Sequence, residues 1–230
     1  MGWEAFPSSH IALSPVSSEE KSSGARYLHA EDLPELCRLD ERWLRGQLEQ
    51  RQISDSNILV ALIPDAKTIR WHHAREEFAG KELLGRDPSF KGAYAKTEAG
   101  EQVWCIWTRT FGSNEAGNTL NILRFVIEGD QVLRSDGERP GSRDASQRGR
   151  IRAGAAVLRA AQLEAARWKM NDVQLWNPTP MTILAAQEIE PSSQLIHREE
   201  ESIASLRWHG MNPQDRENLE WVGNEKYGWC

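Results

Sequence analysis

The apolar positions of this chain follow two rhythms, and the changes between them mark out its elements. In "EDLPELCRLDERWLRGQLEQR", Leu33, Leu36, Cys37, Leu44 and Leu48 recur at helical steps, with Pro34 near the start, where a missing N–H is tolerated. The run "NILVALIPD" predicts a strand that stops at Pro64, and Asp65 is placed to cap a helix over "AKTIRWHHAREEFAGKELLG". That helix is expected to turn Trp71, Ala74 and Phe78 inward and to end at Gly85. Three strand patterns follow, "FKGAYAKT", "QVWCIWTRTF" and "TLNILRFVI". The Gly and Asn content of their connections predicts an antiparallel meander, and the third run, apolar on both faces, belongs centrally. Residues 129–148 are polar and contain Gly137, Pro140 and Gly141, so a mobile loop is expected there. In "RIRAGAAVLRAAQLEAARW", Ile151, Ala155, Leu158, Ala161, Ala165 and Trp168 recur at steps of three and four, which predicts a helix. A strand "DVQLWN", a proline-started helix "PTPMTILAAQEI" and two strands, "QLIHREEES" and "LEWVGNEKYGW", complete the pattern. The order predicts an α/β (α+β) fold: a mixed, mainly antiparallel sheet with helices on both faces.

Residues 15–24 are polar and serine-rich and read as a linker, so a boundary is expected there: a short leading segment over 1–24 and the main domain over 25–230. With 230 residues, 39% of them hydrophobic, the chain can bury a sizeable core. The net charge of -6 argues against nucleic acid as a partner, because that affinity comes from neutralised phosphates. There is no apolar run of membrane-spanning length and no signal-peptide pattern. The three cysteines, Cys37, Cys105 and Cys230, are too far apart for a disulfide framework or a metal knuckle, so reduced thiols in a cytoplasmic protein are expected. Most of the 10 tryptophans are expected to be core.

The stretch "EEESIASLRWHG" raises a question of chemistry. On a strand, Glu199 and Glu201 share one face, and two like charges in a pocket favour a cation between them. They are candidates to hold an amine, with Trp208 as the wall along its aliphatic stem. An exposed edge strand whose charges discourage aggregation fits the same residues. Trp104 and Trp107 point to opposite faces of their strand, one of them into the core, and Trp107 is a candidate to line the substrate site. Arg109 shares a face with Trp107, and its planar fork suits either a substrate carboxylate or a neighbouring glutamate. His72 with Glu76, and His73 with Glu77, have ligand-compatible spacing but no evident third ligand, so no metal is expected.

A meander leading into a long helix, then strand, helix and closing strands, is similar to the GNAT acetyltransferase fold. The stretches "GWEAFPSSH", "IRWHHAREEFAGKELLG", "VWCIWTRTF", "NTLNILRFVIE", "LWNPTP", "REEESIASLRW" and "WVGNEKYGWC" together resemble the fungal lysine N6-acetyltransferase family, in its carboxyl-terminal GNAT-like half. The resemblance implies a lysine N-acetyltransferase-related protein and, as partners, lysine or another small amine and an amino-terminal GNAT domain that binds acetyl-CoA. On that reading residues 1–24 are the remnant of the preceding domain plus linker. GNAT enzymes hold the coenzyme pyrophosphate on an Arg/Gln-x-x-Gly-x-Gly/Ala turn ahead of the long helix. The nearest match is Arg150-Ile151-Arg152-Ala153-Gly154-Ala155, with Ala153 where the first glycine belongs, so Arg150 and Gly154 mark a degenerate acetyl-CoA site. The expectation is therefore a substrate-side or structural half, inactive alone. A binding module for a small cationic metabolite and an interaction domain are the alternatives.

Overall fold

The structure is a computed structural model and describes residues 4–6, 8–16, 23–54, 57–112, 117–130, 145–198, 203–209 and 218–229. Eleven strands and four α-helices are seen among them: β1 (Glu4–Phe6), β2 (Ser8–Leu13), β3 (Arg26–Leu28), α1 (Leu33–Ser54), β4 (Ile58–Val60), α2 (Ala66–Leu84), β5 (Gly92–Lys96), β6 (Gln102–Thr110), β7 (Thr119–Ile127), α3 (Ala145–Arg167), β8 (Asp172–Trp176), α4 (Pro180–Ile189), β9 (Leu195–Arg198), β10 (Ala204–Leu206) and β11 (Leu219–Trp221).

Seven strands form one sheet in the order β3-β5-β6-β7-β8-β2-β9, antiparallel throughout except for the parallel β7–β8 pair. Two small ladders flank it, β1 with β10 and β11 with β4. The alternation of β6 separates two cores. Val103, Cys105 and Trp107 pack with Val157, Leu158, Ala161 and Ala165 of α3 and Ala185 of α4. Trp104 and Ile106 pack with Leu33, Leu36 and Cys37 of α1 and Ile69 of α2. Helices thus cover both faces, as the alternating pattern requires.

Local chemistry sets the element ends. Asp65 accepts the Thr68 N–H at 2.7 Å and starts α2, and Gly85, at φ 60°, ends it in the left-handed conformation that glycine adopts without a Cβ clash. Thr179 caps α4, whose first helical residue is Pro180.

Three expectations need correction. The boundary near residue 24 does not divide the molecule, because β2 runs between β8 and β9, pairing His10 with Trp176 and Ser9 with His197. The segment "NILVALIPD" supplies β4, which lies outside the main sheet. The expected inner face of α2 is its outer face: Trp71 is 49% exposed and Phe78 70%, while Ile69, His72, His73, Glu76 and Gly80 are buried. Residues 131–144, most of the expected mobile loop, lie outside the described residues. Among the described residues no helix is long and apolar enough to cross a membrane.

Candidate functional site

Trp107 and Arg109, expected to face a substrate, are both buried. The Trp107 indole N–H donates to the Phe90 carbonyl at 3.0 Å. Arg109 forks between two carboxylates, Glu76 of α2 at 2.5 Å and Glu164 of α3. Lys91 binds Glu76 at 3.2 Å and Glu77 at 2.7 Å. Burial raises the Glu76 pKa and the two cations oppose the shift. Arg109 therefore bridges α2, β6 and α3, and the substrate-carboxylate assignment gives way to the ion pair that the same fork geometry allows. His72 and His73 also turn inward, their Nε2 atoms 2.9 Å from the carbonyls of Tyr227 and Trp107. Among the described residues no metal-ligand cluster occurs.

The coenzyme-turn residues are corrected as well. Arg150 to Ala155 lie inside α3, which begins at Ala145, so their amides are five or more residues into the helix and serve its own ladder. A Cβ on Gly154 would come within 3.0 Å of the Ala185 Cβ, so this glycine permits α3 to pack on α4. Arg150 binds Glu101 at 2.5 Å, and Ser146 donates to the same carboxylate at 3.2 Å. The Arg150 hydrogen bond holds the Glu101 pKa below its ordinary value. An open groove of about 800 Å³ beside these first turns carries Lys96, Arg148 and Arg152, and also Glu98 and Glu101. The residues that the resemblance assigned to acetyl-CoA phosphates do not fit them: the amides are spent and a carboxylate already binds the arginine.

Glu199 and Glu201 lie outside the described residues. Trp208 follows β10 and is half-buried, with its indole N–H buried and without a hydrogen-bond partner among the described residues. Trp107 and Arg109 belong to the seven-stranded sheet and Trp208 follows the β1–β10 ladder.

The acidic, indole-walled hollow sought at Glu199 to Trp208 has a counterpart elsewhere. β7 pairs with β8 only through Thr119 to Ile122, and the rest of β7 departs from its neighbour. A register shift between Ile106 and Trp107 of β6 falls opposite Leu123. It brings Arg124 to the α1 side, where the guanidinium forks onto Asp40 at 2.6 and 2.7 Å. The segment after β11 closes on this edge of β7: Glu225 accepts from the Phe125 N–H at 3.0 Å and pairs with Arg124. Burial raises the Glu225 pKa to about 7, against the pull of Arg124. Asn177, at φ 46°, fastens the segment by donating to the Asn224 carbonyl while its Oδ1 accepts from the Ser9 N–H at 2.9 Å.

Above this network, α1 and the outer half of β7 enclose a cleft of about 430 Å³. Asp40, Glu128 and Asp130 supply carboxylates, Arg42 and Arg124 guanidiniums, and Trp43 the indole wall. The Trp43 ring is braced 5.4 Å from that of Trp104. Thr179 donates to Asp130 at 2.5 Å, and Gln47 donates to the Asp130 carbonyl at 3.1 Å. Because Asp40 neutralises Arg124, the remaining balance leans negative at Glu128 and Asp130. No motif pointed to these residues. They converge from α1, β7 and the α4 cap, and the run "ILRFVIEGD", apolar on both faces up to Ile127 but for Arg124, carries no period that sets them apart.

Neither the search of curated proteins nor that of solved structures finds a significant match. A family model does match, over residues 10–230, and its description is LYC1 GNAT-like C-terminal domain. The mixed, mainly antiparallel sheet with its parallel β7–β8 step and the long helix between them agrees with that match. The chain belongs to the LYC1 GNAT-like C-terminal domain family.

Proposed function

We propose that this acetyltransferase-related domain is the amine-binding half of a lysine N-acetyltransferase, and that acetyl-CoA is held by a partner GNAT domain. The carrying observation is the cleft between α1 and β7. Its volume is within the range of small-molecule pockets, about 300–1,000 Å³. Its carboxylates at Glu128 and Asp130 suit an ammonium group, and Trp43 offers a face for a methylene stem. The substrate preference follows from this pairing of charge and indole. The engaged amides of residues 150–155 and the Arg150–Glu101 pair support placing the coenzyme elsewhere. The work of this chain is then to desolvate the stem, to bind the ammonium against carboxylates and to orient the ε-amine that attacks once the ammonium has given up its proton.

Titration calorimetry of the chain with free lysine and with norleucine, which lacks the ε-amine, tests the reading. Lysine is expected to bind with a Kd of about 0.1–1 mM, and Asp130→Asn to weaken it roughly tenfold, as removal of a charged hydrogen-bond partner does. Equal binding of norleucine, or no lysine binding at all, rejects the amine pocket. Transfer of labelled acetyl from acetyl-CoA to lysine by the chain alone rejects the division of labour.

A further inference from the structure

The outer face of α2 carries an exposed stripe of charged and apolar side chains. The inner face is polar yet satisfied: His72 and His73 reach carbonyls, and Glu76 holds Arg109 and Lys91. These bonds fix the rotation of the helix and leave Lys67, Trp71, Ala74, Phe78 and Glu82 exposed on the opposite side. Spaced at three and four residues, they form one stripe along roughly 22 Å of helix, at the 1.5 Å rise per residue. Trp71 and Phe78 are two of the four large apolar side chains that α2 exposes, the others being Leu83 and Leu84 at its C-terminal end.

The stripe is self-complementary. When two copies of α2 cross antiparallel about a twofold axis between Ala74 and Arg75, Trp71 of one meets Phe78 of the other, and Lys67 of one meets Glu82 of the other. Both contacts occur twice, as an isologous interface demands. At the crossing the small Ala74 of one copy faces the exposed Arg75 of the other, whose long side chain can lie outward along the seam. We propose that α2 pairs with α2 of a second copy of this chain, through two Trp71–Phe78 contacts flanked by two Lys67–Glu82 pairs. Parallel alignment sets Lys67 on Lys67 and Glu82 on Glu82, so the charges specify the antiparallel register as well as the partner.

Sedimentation equilibrium over a concentration series tests this. The chain is expected to dimerise with a Kd in the micromolar range, as interfaces at the small end do. Phe78→Glu, at an exposed position, is expected to raise the Kd at least about tenfold with an unchanged far-ultraviolet circular dichroism spectrum. Lys67→Glu and Glu82→Lys each place like charges at both ends of the stripe and are expected to weaken self-association by about threefold to tenfold. An equimolar mixture of these two variants pairs every carboxylate with an ammonium and recovers the wild-type Kd. A wild-type chain that stays monomeric, a Phe78→Glu chain that still dimerises, or a mixture no tighter than its components overturns the proposal. A different occupant of the face, such as another domain, gives the first of these results.

Discussion

Arg109 shows how one side chain can be readable in type and unreadable in role. Its buried guanidinium stands between Glu76 and Glu164, which lie 33 and 55 positions away in the chain. Arg109→Met removes the cation that Glu76 and Glu164 share, leaving Glu76 with Lys91 and Glu164 with Arg167, and a broken buried network of this kind loses about 3–5 kcal/mol. Urea denaturation is expected to show that loss, while lysine affinity of the folded fraction stays as it was, because the cleft between α1 and β7 does not include this residue. The sequence placed Trp107 and Arg109 on one face of a strand and Trp104 on the other, and the two cores agree with the tryptophan part of that reading. It did not supply their depth. Burial follows from which helices close over the sheet, and alternation along β6 carries no record of that.

At the level of elements, glycine positions separate packing from propensity. A side chain at Gly154 meets Ala185, so Gly154→Leu wedges α3 from α4 and is expected to destabilise by at least about 2 kcal/mol. Gly46, exposed in α1 with nothing near its missing Cβ, gives the opposite sign: Gly46→Ala is expected to add about 0.5–1 kcal/mol. Thermal and chemical denaturation of the two variants measures both. The helices were legible because their periods are long, and the boundaries of α2 were legible from Asp65 and Gly85. The facing of α2 was not, because the usual rule assigns the apolar stripe to the interior. Here hydrogen bonds from His72, His73 and Glu76 decide the rotation and override it. β1 and β3, of three residues each, are too short for any pattern, and β2, "SSHIAL", lacks clean alternation because its first three residues are polar and Ser8 is nevertheless buried.

For the whole molecule, two buried groups make stability respond to pH in opposite directions. Glu225 has a folded pKa raised from 4.5 to about 7, so between those values the folded state binds the extra proton and stability falls as pH rises. Burial lowers His73 from 6.5 to about 4, so across that interval the unfolded state binds the extra proton and stability falls as pH drops. Between about 4.5 and 6.5 the two slopes offset, each limited to about 1.4 kcal/mol per pH unit. Denaturation midpoints measured from pH 4 to 8 are expected to fall toward the acid side in Glu225→Gln, where only the His73 slope remains, and to rise toward it in His73→Gln, where only the Glu225 slope remains. The layered α/β plan was legible from element order. The cleft was not, since α1, β7 and the α4 cap meet only through tertiary packing.

The threading of β2 has a temporal side. Ser9 hydrogen-bonds Asn177 across 168 positions, and its strand fills the gap between β8 and β9. During synthesis this early strand has neither neighbour until about residue 176 has emerged, and its second edge stays bare until about residue 198. Such long loop closure slows folding and leaves a bare strand edge in the nascent chain. The sheet is therefore a fold that must wait for its own last third, and chaperone demand on the ribosome is the cost of that wait.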